Sequence, residues 1–476
     1  MSDYAIEYFF QPRSIALVGA SPDLTKPGGR CLNALLKRGY PGQVFPVNKQ
    51  YRELRGLPCY RTLTEVPEEV DMVIVSVPAP GVIDVLEEAG RKKARVAVIF
   101  TSGFAETGPE GQRLQEALKE KAKGLGIRLL GPNCVGIVNL PLSVMASFAN
   151  IVDIEPVYPM TLGFITQSGA FGAMIYAQAV EEGVGFSSFV SVGNEADTEF
   201  ADFLAYMVHH HPETEIIGGY MEGAKDGRKL RQAAYDALKK GKPILMMKLG
   251  KTRAGARAAS SHTGSIAGED AVYDAFFRQV GIIRLESLRE LTSFVTVHRA
   301  HRFPEGRRVA VLSVSGGAGV LMADKFEEWG LEVPPMKEET RKKIARYLPP
   351  FGSAVNPVDM TSALGSDPRM LGKCLEALVH DSNFHMIAVN TALTDFTATT
   401  IADDIIEVYK ATTKPIVVTV HVFHATEKTT EAMNRMKEAG IPVLKDHLSA
   451  VRAMRNLAWY TEKRRRFLNS GHSRPF

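Results

Sequence analysis

The residue with the most telling chemistry is a single histidine, His262, set in the run Ala258-Ala259-Ser260-Ser261-His262-Thr263-Gly264-Ser265-Ile266-Ala267-Gly268. Small residues on both sides leave room around its ring. Imidazole is the side chain whose ordinary pKa lies closest to neutrality, so it can be an uncharged nucleophile, accept a phosphoryl group and release it. Without context such a residue is more often an ordinary loop histidine, and its weight depends on what the rest of the chain sets beside it.

Two glycine-rich turns are candidates for that company. Gln167-Ser168-Gly169-Ala170 and Ser315-Gly316-Gly317-Ala318 each follow a β-branched apolar run and open a helical stretch. Such a turn aims free N–H groups and the positive end of a helix at whatever lies above it, which suits a phosphate; small residues also occur there for tight turning alone. Both helical stretches end in an acidic pair and reach glycine, Gly183 and Gly330, at the same offset, a faint internal repeat. Glu222 closes a third apolar run, and the run 243–249 feeds the His262 loop. In a parallel sheet these strand ends share one edge, where Glu222, Asn194 and His262 can converge.

The first part of the chain carries a different set of loops: Gly19-Ala20-Ser21, Val47-Asn48-Lys49, Val77-Pro78-Ala79-Pro80, Thr101-Ser102-Gly103 and Gly131-Pro132-Asn133-Cys134. Glycine lets backbone N–H groups approach an anion, and Ser21, Lys49, Ser102 and Asn133 add polar or cationic contacts. The pattern is that of a Rossmann-like pocket for a phosphate-bearing nucleotide. The full Gly-x-Gly-x-x-Gly fingerprint is missing, so a nicotinamide cofactor is not indicated.

The elements that must position these residues alternate almost throughout between short apolar runs and amphipathic stretches, the signature of parallel sheets covered by helices. Strands are expected at 14–18, 44–47, 72–77, 95–100 and 128–130, then at 161–165, 186–192, 215–221 and 243–249, then at 309–313, 386–390 and 415–420. A helix is expected from Arg30 to Arg38. A mixed stretch with Pro141, Pro156 and Pro159 reads as an interdomain connection, and the polar, basic segment 299–308 as a second one. The expected fold is α/β with three domains, over 1–140, 158–299 and 307–462.

With 476 residues, 45% hydrophobic and 23% charged, the composition is that of a globular chain of several domains. No apolar run approaches the ~20 residues that span a bilayer, and the first residues lack signal-peptide character, so a cytoplasmic protein without a membrane role is expected. A net charge of +4 suits small anionic ligands and excludes a nucleic-acid footprint. Cys31, Cys59, Cys134 and Cys374 have no paired spacing, which argues against disulfides and zinc.

Several motifs fail. Gly250-Lys251-Thr252 lacks the earlier glycine of a P-loop, since position 245 is leucine, and Gln167-Ser168-Gly169 lacks both outer glycines of a hydrolase elbow. His209-His210-His211 reads as a solvated helix end, and His421 and His424 as bystanders, so no metal site is expected. Asn356-Pro357-Val358-Asp359 reads as a loop on the edge that carries Ser315.

Taken together, the Val-Pro-Ala-Pro turn, Gly131-Pro-Asn-Cys134, Gln167-Ser-Gly-Ala170, the Glu222-Gly pair, Ser261-His-Thr-Gly264 with Ala267-Gly268, and Asn356-Pro-Val-Asp359 resemble the α subunit of the ADP-forming acyl-CoA synthetases, relatives of succinyl-CoA synthetase. The resemblance runs from about residue 7 to 460. It implies a Rossmann-like CoA-binding domain followed by two flavodoxin-like domains. Gly19, Ala20, Ser21, Lys49, Pro78, Ser102 and Asn133 match the family's CoA-contacting loops. His262 would be the phosphorylated histidine, and Glu222 the carboxylate that orients it, since accepting from one ring nitrogen raises the nucleophilicity of the other. The turns at Gln167–Ala170 and Ser315–Ala318 would bind phosphate.

The implied reaction turns acyl-CoA, ADP and phosphate into a carboxylic acid, CoA and ATP, through an acyl phosphate and a phosphohistidine. The small residues from Thr252 to Gly268 suit a loop that moves between sites, and Lys251, Arg253 and Arg257 suit an anion-carrying one. No stretch reads as an ATP-grasp domain. In similar proteins that domain is fused or supplied by a β subunit, so a partner that handles ADP, ATP and Mg²⁺ is expected, in an α2β2 assembly. Two rivals remain: a CoA-binding regulatory or scaffold protein without phosphoryl transfer, and a CoA enzyme that transfers acyl groups without phosphohistidine.

Overall fold

The computed structural model describes residues 5–252, 254–255, 270–361, 367 and 369–470. His262, Arg253 and Arg257 lie outside them. The chain divides into two compact units, Met1–Glu286 and Ser287–Phe476.

The first unit contains two larger sheets. One orders its parallel strands Gln43–Val47, Ser14–Val18, Met72–Val75, Val96–Ile99, Arg128–Leu130. Ser14–Val18, Met72–Val75 and Val96–Ile99 are buried at every position because helices cover both faces, which is why they read as unbroken apolar runs. The other sheet orders Ile282–Leu285, Ile244–Lys248, Ile216–Met221, Met160–Thr166, Gly185–Ser191, all parallel, then adds the antiparallel hairpin of Gly136–Asn139 and Val144–Ser147. That hairpin occupies part of the stretch expected to be a plain connection. It was not legible because its strands are four residues each and read as coil between prolines.

The second unit repeats the plan, with Val358–Asp359, Val309–Ser313, Met386–Leu393, Ile416–Val422 and Val443–Leu444 in parallel order. Counting only parallel strands, all three sheets follow the doubly wound order 2-1-3-4-5, whose switch point lies between the first and third strands. Asn356–Asp359 is therefore only partly a loop. Val358 and Asp359 form a short edge strand beside Leu312 and Ser313, while the Asn356 side chain accepts from Val311 N and donates to Val309 O, at 2.9 Å each. Among the described residues no helix is long and apolar enough to cross a membrane.

The helix Phe200–His210 ends in the histidine run, and the third histidine is not solvated. His211 is buried, stacked edge-on to Phe10, with Nδ1 3.0 Å from the Thr214 hydroxyl and Nε2 3.3 Å from Asn139 Oδ1. Asn139 Nδ2 donates to Phe10 O, so its Oδ1 faces the ring and accepts from Nε2–H, which leaves Nδ1 to accept from Thr214. This neutral tautomer is satisfied on both sides, and burial pushes the His211 pKa down to about 4. A group depressed below its unfolded value stabilises above that value and loses the contribution as pH falls through the folded one. Between pH 6.5 and about 4 His211 thus removes stability on the order of 3 kcal/mol. Denaturant unfolding at pH 7 and pH 4.5 is expected to show a shallower acid loss in His211→Phe; equal losses in variant and parent would contradict this assignment.

Candidate active site

In the first sheet the switch point falls at Gly19 and Ser76, the residues after the first and third strands. Gly19 N donates to Val47 O at 3.0 Å and Ser76 N to Val18 O at 2.9 Å, so both turns leave the sheet together. Gly19 has φ +91°, and a Cβ there would stand 2.2 Å from Ser76 O. Only glycine lets the two turns approach so closely.

A cleft of about 730 Å³ opens beside this edge, lined by Pro27, Ser76 to Ala79, Phe100 to Ser102, Asn133 to Val135, Phe148 and Gln167 to Ala170. Pro78, Ser102 and Asn133, expected from the first domain, and all four residues of the Gln167 turn, expected from the second, therefore share one cavity. Gly19, Ala20, Ser21 and Lys49 do not line it. Ala20 is fully buried, Ser21 is buried with its hydroxyl accepting from Asp23 N at 3.1 Å, and Lys49 is exposed at the end of the edge strand. Pro27, Phe100 and Phe148 were missed. Pro27 is the first residue of the helix Pro27–Lys37, whose start was expected at Arg30 because Pro27-Gly28-Gly29 reads as a breaker; proline at a first helical position marks a start instead.

The second switch point, between Met160–Thr166 and Ile216–Met221, brings the Gln167 turn to Glu222. The helix Gly169–Glu181 begins there, and no described side chain caps it. The Thr166 hydroxyl donates to Ser168 O at 2.8 Å and accepts from Ser168 N at 3.1 Å, which holds the turn and leaves the N–H groups of the first helical turn directed into the cleft. The repeat in the second unit uses the same device. Ser313 donates to Ser315 O at 2.7 Å and accepts from Ser315 N at 3.1 Å, ahead of the helix Gly316–Glu328. There Ser315 Oγ does face Ala318 N, at 3.5 Å, and the Asp359 carboxylate packs against Gly316.

Glu222 is half-buried, with Oε1 3.4 Å from the Tyr220 hydroxyl. On its other side the strand Ile244–Lys248 ends in Lys248, whose Nζ donates to Leu249 O and lies 4.6 Å from the Tyr273 ring centre; burial lowers its pKa. The Tyr273 hydroxyl in turn accepts from Ala224 N at 3.0 Å, fixing the turn after Glu222. Lys251, read as part of an anion-carrying loop, pairs with Glu286 at 3.1 Å. The elements that flank the His262 segment in the chain are the strand ending in Lys248 and the helix Asp270–Val280.

Asn194 joins the two sheets' loops. Its Nδ2 donates to Glu106 Oε2 at 2.5 Å and Gln115 Oε1 at 3.0 Å, its Oδ1 accepts from Asn133 Nδ2 at 3.2 Å, and its N donates to Pro132 O at 2.9 Å. Gly193 permits this contact, since a Cβ there would meet Pro132 O at 2.3 Å.

Comparison with known proteins agrees with this layout. A CoA binding domain model matches residues 13–139, a succinyl-CoA ligase like flavodoxin domain 159–298, and a ligase-CoA domain 309–451. The chain is 38% identical over 443 residues to the α subunit of acetate–CoA ligase (ADP-forming) II from Pyrococcus furiosus, covering 92% of this chain and 94% of that one. It is 36% identical to acetate–CoA ligase (ADP-forming) I from Archaeoglobus fulgidus, over 96% of this chain but 64% of that protein. Among solved structures, dinucleotide forming acetyl-coenzyme A synthetase 1 from Ca. Korarchaeum cryptofilum, in complex with phosphate and ADP, superposes with a TM-score of 0.87 at 34% identity, over 98% and 99% of the two chains. With the cleft, the two switch points and these relatives in agreement, the chain belongs to the family of ADP-forming acetate–CoA ligase α subunits.

Proposed function

We propose that the chain is the acyl-transferring subunit of an ADP-forming acyl-CoA synthetase, with CoA held by the loops at Ser76–Ala79, Ser102 and Asn133. The observation that carries this reading is the single cleft in which those loops meet the helix N-terminus at Gln167–Ala170. A phosphate on that N-terminus sits beside a thioester entering from the CoA loops. A phosphate oxygen attacks the thioester carbonyl and the thiolate leaves as CoA, which gives an acyl phosphate. The neutral His262 nitrogen then attacks phosphorus and the carboxylate departs. Finally a terminal oxygen of ADP takes the phosphoryl group from the histidine, and all steps run in reverse. The helix N-terminus at Gly169 would stabilise the charge on the phosphoryl oxygens. Glu222 would hold one ring nitrogen of His262 and so direct the other.

Nucleotide and Mg²⁺ belong, in this reading, to an ATP-grasp partner in an α2β2 cytoplasmic assembly. The subunit designation of the P. furiosus relative and the greater length of the A. fulgidus relative support it. The three matched segments support domains at 1–140, 158–299 and 307–462. The test is ATP formation from acetyl-CoA, ADP and phosphate. The chain mixed with a candidate ATP-grasp subunit is expected to make ATP, and the chain alone to make less than about a thousandth as much. Full activity from the chain alone would refute the partner.

A further inference from the structure

The Gln167 side chain is committed to the protein rather than to a ligand. Its Oε1 accepts from Glu222 N at 2.6 Å and from Gly223 N at 3.1 Å, while its Nε2 donates to Gly223 O at 2.7 Å and to Glu195 Oε2 at 3.1 Å. Both lone pairs and both protons of the amide are used, so it has one workable orientation. Its own N–H donates to Tyr220 O, which ties the end of the first strand to the end of the third.

Two partners select that orientation, the backbone donors Glu222 N and Gly223 N on one side and the side chain of Glu195 on the other. Glu195 is the more constrained of the two. The residue is 6% exposed and sits at φ +53°, a left-handed conformation that costs a residue with a side chain energy and is held by its surroundings. Its Oε1 accepts from Phe200 N at 2.7 Å and its Oε2 from Gln167. In its ionised form the carboxylate can only accept, and that form holds the NH₂ group of Gln167 toward itself, with the amide oxygen toward the Glu222–Gly223 turn. Lys225, at 2.8 Å from Asn194 O, supplies the neighbouring positive charge. Burial nonetheless raises the Glu195 pKa to about 7, a desolvation cost that a merely space-filling residue would not carry.

We propose that Glu195 and Gln167 are positioning residues for Glu222: Glu195 sets the polarity of the Gln167 amide, and that amide fixes the backbone from which the Glu222 carboxylate addresses His262. The proposal rests on Glu222 orienting His262. Glu195→Gln inverts the logic. The new amide has one oxygen for two donors, so its NH₂ must confront either Phe200 N or the Gln167 NH₂, and turning Gln167 over would set its NH₂ against Glu222 N and Gly223 N. Gln167→Met removes the bridge and leaves Glu195 in place. The exchange of both, Glu195→Gln with Gln167→Glu, restores the pairings with Phe200 N, Glu222 N and Gly223 N and the link between the two side chains, but sets a carboxylate oxygen against Gly223 O.

The test uses the complete assembly with its nucleotide-handling subunit, radiolabelled ATP and magnesium, and follows phosphohistidine formation together with the KM for acetyl-CoA and the thermal midpoint. Each single variant is expected to slow phosphohistidine formation about 10- to 100-fold, the range for residues that orient a reacting group, with KM changed less than about twofold. The exchange is expected to recover part of the rate lost in Glu195→Gln. Glu222→Gln is run beside them. If Glu222→Gln is slow while Glu195→Gln and Gln167→Met keep the parental rate, the positioning proposal is overturned and the role of Glu222 survives. If Glu222→Gln itself keeps the parental rate, both fall. A loss of rate in step with KM and thermal midpoint, not repaired by the exchange, would show general damage and also overturn the proposal.

Discussion

Replacing His262 by alanine is expected to abolish acid-labile, base-stable phosphate on the chain and to lower ATP formation on the order of 10³-fold or more. The reason is the division of labour in the proposed cycle. Phosphate bound at the Gly169 helix N-terminus can still attack a thioester held by the CoA loops, because none of those residues is altered. The variant should therefore still exchange acyl-CoA and phosphate for acyl phosphate and CoA, and then stop, since nothing remains to carry the phosphoryl group to nucleotide. Measuring free thiol and ATP in the same reaction separates the two halves. Thiol release without ATP supports the relay. Unchanged labelling would remove His262 as the nucleophile, and unchanged acyl transfer in a parent that never labels would favour a CoA enzyme that works without phosphohistidine. Absence of both label and thiol release in the parent would favour the regulatory protein.

The second large effect is expected at Gly19. Valine there carries a β-branched side chain at φ +91°, which costs about 1–2 kcal/mol, and its Cβ would begin 2.2 Å from Ser76 O, a backbone atom that cannot swing away. Overpacking adds about 1–3 kcal/mol. The strand ends at Val18 and Val75 must part, and Ser76 to Ala79, which line the cleft, move with them. Gly19→Val is expected to lower the melting temperature of the first unit by roughly 5–15 °C. CoA affinity should fall at least tenfold, a loss of about 1.4 kcal/mol. Gly227→Ala is the control, because a Cβ at that exposed helix start meets nothing within 4 Å. Calorimetry and CoA titration on both variants decide the matter; a Gly19→Val protein as stable and as tight as the control would show that the close approach is unimportant.

The sequence made legible those buried strands that are written as continuous apolar runs. Ser14–Val18 and Val309–Ser313 have the expected limits because a continuous apolar run has no other stable use in a chain of this composition. The glycine turns were legible for the same reason, as the punctuation between run and helix. What stayed hidden depends on pairing between distant segments. Val358–Asp359 is too short to carry a pattern, and the hairpin over Gly136–Ser147 is a strand pair only because Gly185–Ser191 offers it an edge. Pro27 was misjudged because proline both breaks and starts helices. Gln167 was expected to serve phosphate with the rest of its turn; which atoms its amide engages is decided by Glu195 and the Glu222 turn, 28 and 55 residues away. His211 looked like a solvated terminus and is buried by Phe10 and Asn139, both remote in the chain.

The hairpin that completes the second sheet also limits how the molecule can be recombined. Its first strand pairs with Phe189 and Val190 in the middle of Gly185–Ser191, a strand buried at all seven positions, and Phe9 and Phe10 of the N-terminus pack against Phe203 and Tyr206. A graft that exchanged residues 1–140 between relatives would cut the hairpin in two, setting a foreign Gly136–Asn139 segment between the recipient's Gly185–Ser191 and Val144–Ser147, and would replace the aromatic plug as well. The acyl-carrier pocket is better transplanted between seams placed after Pro12 and ahead of Gly136. That leaves each hybrid the recipient's own plug and hairpin, and a library of CoA pockets can then be tried on one phosphoryl-transfer scaffold.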